Sequence, residues 1–536
     1  MRCATRSFSV DVFSLHGADY IRSSGHRGGE GSAGLPDRTI RAFIHVFPPR
    51  ARAVRGSELE SPSVMTHLLS QRWPWILAAV IVVAVYLSTI IEIHVPDVDP
   101  DPRPIGTLDD IRAFADRDDT NVLFVLIDTL RADHLGSYGY ERDTTPFLDT
   151  IADRGVRFAR HLAQSSWTKC SMASLWTGLY PPHTGITRFN HALPPEAEMP
   201  AEVFRDHGFT TTGIYRNGWV SGYFGFEQGF DIYIKPTPSI VPLSIRRENP
   251  TLTTQGTDLD LVSTAAEFLR LHKSERWMLY LHMMDVHEYT YTAESALFGT
   301  TNLDIYDNAI RHVDDVLESL FAELGRQGLL ENTLVVIGAD HGEAFGERGL
   351  EGHARAIHRE TTEVPLILSF PFRLEEGIVL PNRTANVDLW PTVLDLMGLS
   401  FPDEVDGVSR RDEILAGGQR ESGVPGEEPY RAFAYLDQTW GSRGVKPQPS
   451  VAVVEGPLRF VVGKEHGPWI ASLFDSETDP LERVNLAKKD PDTTARLKKI
   501  AAAFRDEPSR WESGPQELQI DEMELNQLRA LGYSIP

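Results

Sequence analysis

The sequence is poor in cysteine and in basic residues. Its 536 residues include only two cysteines, Cys3 and Cys170. Two cysteines cannot build a disulfide framework, so cysteine usage does not indicate a compartment. Lysine and arginine total 52 against 76 aspartate and glutamate residues, which gives a formal net charge of -24. A chain with this charge repels phosphate backbones, which argues against nucleic-acid binding.

The length indicates more than one domain. At 536 residues the chain is too long for a single compact core, so we expect a large domain and a smaller one. The expected boundaries are a disordered tail or mis-annotated start over 1–64, a membrane anchor over 65–95, a linker over 96–118, the main domain over 119–420 and a C-terminal subdomain over 421–536.

One apolar segment predicts the membrane anchor. Trp73 to Ile91 holds no charged residue, and a helix of roughly 20 apolar residues crosses a hydrocarbon core of about 30 Å. Arginines precede this segment and acidic residues follow it, so we expect a single-pass membrane protein whose main domain is extracytoplasmic, either periplasmic or extracellular. The alternatives are a buried core helix and a cleaved signal peptide. The segment has no polar face, however, and no A-x-A-like cleavage site follows it.

Strand and helix patterns alternate after the anchor. Continuous apolar runs typical of buried strands are NVLFVLI (121–127), WMLYLHM (277–283), TLVVIGA (333–339) and PLILSF (365–370). Helical patterns occupy 144–153, 257–272 and 302–324. This alternation predicts an α/β fold with a mainly parallel sheet flanked by helices.

Metal-type side chains follow three of the predicted strands. Asp128 follows the first, Asp285 and His287 follow the second, and Asp340 and His341 follow the third. Ligands of open α/β sheets bind at the carboxyl ends of the strands. Carboxylates and an imidazole at two strand ends can therefore converge on one divalent cation.

A hydroxyl-rich segment, SSWTKCSMASLWTG (165–178), opens a predicted helix. A hydroxyl at a helix N-terminus lies where backbone N–H groups and the helix dipole favour an anion. Thr168 is thus placed to meet a phosphate or sulfate ester. From composition alone, the simpler alternative that Thr168 caps the helix is equally good.

Taken together, several segments resemble the sulfatase family of the alkaline phosphatase superfamily. They are NVLFVLIDTLRADHLGSYGY, WTKCSMASLWTGLYPPHTGI, VVIGADHGEAFGERGLEGH, FEQGFD, HMMDVHEYTY, VDLWPTVLDLMG and LFDSETDPLERVNLA. They occur in the family's order over roughly residues 119 to 535. The resemblance implies an alkaline-phosphatase-like fold with a small C-terminal antiparallel sheet, for which VAVVEG and LRFVVGK supply strand patterns.

The resemblance also implies roles for individual residues. Asp128, Asp340 and His341 match metal ligands, and Thr168 joins them as a ligand and nucleophile. The family's first motif usually has two acidic residues in tandem, but Thr129 occupies the second position. This substitution favours zinc or manganese over calcium.

Two histidines match positions that contact the substrate in the family. His287 and His353 are expected to protonate the leaving group or to hold a second metal, with Asp285 as a further ligand of that second metal. His358 is interpreted as structural. Asn217 and Lys169 are pocket-lining candidates that the sequence does not distinguish from other residues.

The nucleophile departs from the family pattern. Sulfatases carry C-x-P-x-R, whose cysteine becomes formylglycine, and that cysteine aligns with Thr168. Cys170 fails the motif because Met172 and Ser174 stand where proline and arginine are required. Cys170 is therefore interpreted as a buried apolar residue. Thr168 resembles the nucleophile of the superfamily's phosphodiesterases, phosphomutases and phosphoethanolamine transferases.

The preferred hypothesis is a metal-dependent hydrolase of sulfate or phosphate esters, with phosphate esters favoured. Its substrate would be a small-molecule, lipid or glycan ester. One alternative is a membrane-bound phosphoethanolamine-type phosphotransferase, although such enzymes usually have several membrane spans. The other is a catalytically degenerate anion-binding protein, which the retained set of site residues argues against.

Overall fold

The computed structural model describes residues 73, 75, 77–81, 101–236, 256–401, 404–419, 430–441, 445–464 and 469–520. Residues 103–520 belong to one compact unit, and residues 24–102 form a separate unit. Within the smaller unit, the described positions 73, 75 and 77–81 are helical and exposed.

The predicted anchor lies mostly outside the described residues. Among those that are described, no helix combines the length and the apolarity that crossing a membrane requires. The predicted tail over 1–64 falls outside them, as does the final stretch LRALGYSIP, whose pattern predicts a helix ending at Gly532. The anchor and the extracytoplasmic location remain predictions.

The main domain is built on a nine-stranded sheet flanked by helices. Its strands are β1 Asn121–Ile127, β2 Val156–Leu162, β3 Thr210–Tyr215, β4 Ile232–Ile234, β5 Trp277–Met283, β6 Thr333–Gly338, β7 Glu363–Val364, β8 Leu366–Ser369 and β9 Ile378–Ala385. The strand order is β7-β2-β8-β6-β1-β5-β3-β4, with β9 paired to β2. The five strands from β6 to β4 in this order are parallel throughout.

The expected mainly parallel sheet is therefore present, but it is mixed at one side. β8, predicted as one more buried strand, pairs antiparallel with both β2 and β6. A strand buried on both faces has the same apolar pattern in either direction. Its direction therefore depends on the return path of the chain, which the pattern does not encode.

The helices are α1 Leu108–Arg112, α2 Pro146–Asp153, α3 Thr168–Thr177, α4 Pro181–Thr184, α5 Pro200–Asp206, α6 Asp258–His272, α7 Asn302–Gln327, α8 Arg359–Thr362, α9 Leu389–Leu396, α10 Arg411–Leu415 and α11 Pro491–Arg505. The three predicted helices correspond to α2, α6 and α7. At the start of α6, Thr257 and Asp260 form the expected capping box, in which each side chain accepts a hydrogen bond from the other residue's backbone N–H.

Alternation along β1 explains why the sheet is buried on both sides. Val122, Phe124 and Leu126 pack into one apolar cluster, and the residues between them pack into a second cluster on the opposite face. Each such side chain contributes about 2 kcal/mol on burial. The strands are thus held rigidly, and the residues at their carboxyl ends are fixed in position.

The C-terminal part forms the expected small antiparallel sheet. Its strands are β10 Arg431–Asp437, β11 Pro449–Glu455, β12 Leu458–Lys464 and β13 Trp469–Asp475, paired in chain order. The predicted run VAVVEG corresponds to β11 apart from its final glycine, and the predicted run LRFVVGK corresponds to β12. Leu497, Ala501 and Phe504 of α11 cover this sheet in a third apolar cluster.

Candidate active site

The carboxyl ends of β1 and β6 bring three predicted metal ligands together. Asp128, Asp340 and His341 are fully buried, and one ligand atom from each lies within 4.8 Å of the others. His341 Nε2 is 3.4 Å from Asp340 Oδ2 and 3.8 Å from Asp128 Oδ1. β1 and β6 are adjacent parallel strands, so the expected convergence at one edge of the sheet is observed.

Two carboxylate oxygens in this cluster accept no hydrogen bond from any residue that the structure describes. They are Asp128 Oδ1 and Asp340 Oδ2, and both are buried. Burying a carboxylate oxygen without a partner is costly unless a cation lies beside it. These two oxygens and a neighbouring imidazole therefore fit a divalent cation.

The other atoms of the cluster are fixed by hydrogen bonds. Asp340 Oδ1 accepts the backbone N–H of His341 at 2.9 Å and that of Thr129 at 3.3 Å. His341 Nδ1 donates to the carbonyl of Gly342 at 3.0 Å. This bond places the proton on Nδ1, so the Nε2 lone pair is free to face the carboxylates, as in a metal-binding histidine.

The two carboxylates have opposite pKa shifts. Burial and the neighbouring Asp128 charge raise the pKa of Asp340 well above its ordinary value. Burial acts in the same direction on Asp128, but the imidazoles of His287, His282 and His341 outweigh it and lower the pKa of Asp128. A cation between the two would favour the ionised form of both.

Thr168 lies beside the cluster. Its Oγ1 is 3.2 Å from His341 Nε2 and accepts a longer hydrogen bond, 3.4 Å, from Asn217 Nδ2. Thr168 is the first residue of α3, and Trp167 takes the capping position without a side-chain bond. The alternative that Thr168 serves as the helix cap is therefore wrong, and its hydroxyl contacts His341 and Asn217.

Cys170 faces away from the cluster. It follows Thr168 by two residues, and successive helical residues are rotated by about 100°, so the two side chains leave α3 in opposite directions. Cys170 is buried in the apolar cluster of the sheet's first face. Burial raises the pKa of its thiol to about 12. The interpretation of Cys170 as a buried apolar residue is confirmed.

Thr129, which replaces the second acidic residue, does not present its hydroxyl to the cluster. Its Oγ1 donates to the backbone carbonyl of Asp128 at 2.6 Å. Its φ is 63°, a left-handed conformation that is unfavourable for a β-branched residue. Strain of this kind is concentrated at functional sites, and here it directs the Thr129 N–H towards Asp340.

His287 and His353 lie on the other side of His341. The ring centroid of His353 is 4.7 Å from that of His341 and 5.1 Å from that of His287. Burial lowers the pKa of His287. Burial acts on His353 in the same direction, but the Glu343 carboxylate, 3.1 Å from its Nδ1, outweighs it and raises the pKa.

Asp285 does not reach the cluster, which corrects the prediction of a second metal at Asp285, His287 and His353. Its Oδ1 accepts from Arg216 Nη1 at 2.6 Å, and its Oδ2 accepts the backbone N–H of Asp258 at 3.0 Å. Both oxygens are therefore committed to a buried ion network. Within the described part of the chain, the metal-type grouping found consists of Asp128, Asp340 and His341.

Three residues of the site were missed or left undecided by the sequence. Asn217 Nδ2 donates to Asp128 Oδ2 at 2.7 Å, and His282 Nε2 donates to the same oxygen at 3.0 Å. The Glu343 carboxylate accepts a hydrogen bond from His353 Nδ1 at 3.1 Å. His282 shares one face of β5 with Met278 and Tyr280, so alternation along the strand could have identified it as inward-facing.

Lys169 and His358 are structural. The Lys169 ammonium is surrounded by the rings of Trp167, Trp219 and Phe224 and donates to two backbone carbonyls. His358 is buried, with its ring 6.0 Å from that of Phe474, as its structural interpretation predicted.

Comparisons with known proteins match this architecture. A family model described as Sulfatase matches residues 120–399, and a second, described as N-sulphoglucosamine sulphohydrolase, C-terminal, matches residues 346–507. Steryl-sulfatase of Rattus norvegicus is 24% identical over 537 residues, covering 75% of this chain and 91% of the relative. The ulvan-active sulfatase of Formosa agariphila is 25% identical over 443 residues, covering 72% and 82%.

A solved structure shares the fold. The phosphonate monoester hydrolase of Agrobacterium radiobacter superposes with a TM-score of 0.55 and 19% sequence identity, covering 75% of this chain and all of the other. The Sulfatase model spans just over half of the chain, and its segment contains every residue of the metal-type cluster. The chain therefore belongs to the sulfatase family and is an ester hydrolase.

Proposed function

We propose that this enzyme hydrolyses phosphate esters with Thr168 as its nucleophile. The observation that carries the proposal is the position of the Thr168 hydroxyl, 3.2 Å from His341 Nε2. The same Nε2 lies 3.8 Å from Asp128 Oδ1 and 3.4 Å from Asp340 Oδ2, two buried oxygens that accept no hydrogen bond from the described residues. Cys170, the nearby thiol, faces the apolar core instead.

The cation would be held by Asp128, Asp340 and His341, together with the Thr168 oxygen. When bound, a divalent cation supplies positive charge that lowers the pKa of the Thr168 hydroxyl and stabilises charge on the transferred group. Nitrogen and hydroxyl ligands beside two carboxylates, with Thr129 in place of a third, favour zinc or manganese over calcium.

The reaction proceeds in two displacements. The Thr168 hydroxyl loses its proton to solvent and its oxygen attacks phosphorus, and the bond to the leaving alkoxide breaks as a phospho-threonine forms. His353 is the proton donor to the leaving oxygen, because Glu343 holds its Nδ1 and raises its pKa. The now neutral His353 then takes a proton from a water molecule as that water attacks phosphorus. The ester bond to Thr168 breaks, and the threonine oxygen regains a proton from solvent.

Phosphate is favoured over sulfate on chemical grounds. A formylglycine hydrate can expel sulfate by collapsing to its aldehyde. A threonine ester has no such exit and must be hydrolysed at the transferred group. The fold is shared with a phosphonate monoester hydrolase, which is consistent with phosphorus chemistry. Sulfate esters are the second candidate, supported by the sulfatases among the sequence relatives.

The physiological setting is part of the proposal. The substrate would be a small-molecule, lipid or glycan ester outside the cytoplasm, and the Trp73–Ile91 segment would hold the enzyme at the membrane. Transfer of a phospho-headgroup to an acceptor alcohol would use the same first displacement, with the acceptor replacing water in the second. An anion-binding protein without turnover is disfavoured by the assembled nucleophile, ligands and proton donor.

A screen of model esters tests the choice between phosphate and sulfate. The full chain, loaded with zinc or with manganese, is assayed on p-nitrophenyl phosphate, bis-p-nitrophenyl phosphate, p-nitrophenyl phenylphosphonate and p-nitrophenyl sulfate. We expect kcat/KM for at least one phosphorus ester to exceed that for the sulfate by at least about a hundredfold, or about 2.7 kcal/mol. A sulfate ester preferred over every phosphorus ester would contradict the proposal.

Asn217 should contribute to turnover through its contacts with Asp128 and Thr168. Asn217→Ala removes the hydrogen bonds to Asp128 Oδ2 and Thr168 Oγ1. We expect kcat to fall by about ten- to a hundredfold, because a lost hydrogen bond to a charged group costs about 1.5–3 kcal/mol. Asn382→Ala, which removes a hydrogen bond to Glu413 away from the site, is the control. Equal kcat values for the two variants would show that Asn217 does not act on the nucleophile.

A further inference from the structure

A cavity lined mainly by charged side chains lies outside the metal-type cluster. Its volume is about 570 Å³, and its walls are the loop Gly346–Arg348 and the segment Leu481–Arg483, with Arg131 and Arg359 between them. None of the cluster residues Asp128, Thr168, Asp340 or His341 lines it. The cavity therefore lies between the main domain and the C-terminal part, at a place distinct from the metal-type cluster.

Three arginines of the lining are held by carboxylates. Arg131 pairs with Asp133 and Glu347, at 2.9 and 2.8 Å. Arg348 pairs with Glu360 and Glu482. Arg359 pairs with Asp133 at 3.0 Å and with Glu363 at 3.1 Å. These ion pairs fix the guanidinium groups in the wall, so the cavity is organised before any ligand enters.

The ion network behind the wall contains as many arginines as acids, and Arg483 of the lining adds one positive charge to them. Glu363 is shared by Arg359, Arg383 and Arg459, and Glu482 is shared by Arg459 and Arg348. With the rim residue Arg483 included, the arginines are Arg131, Arg348, Arg359, Arg383, Arg459 and Arg483, and the acids are Asp133, Glu347, Glu360, Glu363 and Glu482. A locally cationic cavity is unusual in a chain of net charge -24.

The unbalanced charge is at the rim. Arg483 lines the cavity and is exposed, and it makes no ion pair with any residue in the described ranges. Leu481, two residues before Arg483, is 51% exposed. The rim therefore offers a guanidinium group and an apolar side chain to the same ligand.

We propose that this cavity is a binding site for a small organic oxyanion, such as a carboxylate, sulfonate or phosphate on a carbon skeleton. A volume of about 570 Å³ is in the range of small-molecule sites and far exceeds the size of a free inorganic ion. Guanidinium groups form two parallel hydrogen bonds to an oxyanion. Leu481 would contact the carbon skeleton.

Binding of benzenesulfonate to the full chain tests this site. Benzenesulfonate has no ester bond, so its binding does not depend on the proposed hydrolysis. The measurement is isothermal titration calorimetry in the His353→Ala background, in which anion binding at the active site is weakened. We expect one benzenesulfonate to bind per chain, and Arg483→Gln to weaken its binding about tenfold.

Two further variants sharpen the result. Lys489→Gln removes the same charge from an exposed position away from the cavity and should bind like the parent. Leu481→Ser should weaken benzenesulfonate severalfold and leave inorganic sulfate unaffected. The proposal is overturned if Arg483→Gln binds as tightly as Lys489→Gln, if His353→Ala alone abolishes binding, or if inorganic sulfate binds as tightly as benzenesulfonate.

Discussion

Thr168→Ala should reduce kcat by about four orders of magnitude or more, the scale of loss seen when an enzyme's nucleophile is removed. The substitution deletes the only hydroxyl that lies within 3.2 Å of His341 Nε2 among the described residues. The fold should persist, because Thr168 makes no capping bond for α3. The measurement is kcat on the best ester of the substrate screen, together with the thermal midpoint of unfolding.

Two matched variants make this prediction specific. Thr168→Ser keeps a hydroxyl at the same position and should retain measurable turnover. Cys170→Ala changes the neighbouring side chain on the opposite side of α3 and should leave kcat within about twofold, while lowering stability by about 1 kcal/mol through the lost burial. Activity that follows Cys170 instead would show that the nucleophile lies two residues further along the helix.

The strands and helices of this fold could largely be predicted from local patterns. The run NVLFVLI is apolar at every position after Asn121 because its alternating residues enter two different clusters, and β1 occupies that same range. The direction and pairing of the strands could be predicted less well from the sequence. The apolar pattern of β8 is as compatible with the antiparallel pairing found as with the parallel pairing expected.

Likewise, only some residues of the candidate site could be predicted from the sequence. Asp128, Asp340 and His341 follow apolar strands directly, so the rule for strand ends brings them together. Asn217 and Glu343 lie in loops, and their contacts with Asp128 and His353 arise from tertiary packing. Asp285 also follows a strand, but Arg216 binds its carboxylate. A carboxylate at a strand end can therefore join the metal-type cluster or form an ion pair. A guanidinium group close to it favours the ion pair.

Removal of the cation should abolish turnover and destabilise the fold. In its absence, Asp128 Oδ1 and Asp340 Oδ2 are buried without a hydrogen-bond partner, and the two carboxylates repel each other. A cation at about a thousand times its Kd stabilises the folded state by about 4 kcal/mol. Dialysis against EDTA should therefore lower the thermal midpoint by several degrees and reduce kcat at least about a thousandfold, and zinc or manganese should restore both.

Asp340→Asn should remove both effects of the cation. The variant loses one ligand charge, so its thermal midpoint should be the same with and without metal, and its turnover should be absent in both states. The metal-free variant should be no less stable than the metal-free parent, because the repulsion between Asp128 and residue 340 is gone. Asp492→Asn, an equal loss of charge on the exposed face of α11, should keep the full metal-dependent shift. A shift in Asp340→Asn equal to that of the parent would place the cation elsewhere, and undiminished turnover after dialysis would show that catalysis requires no cation.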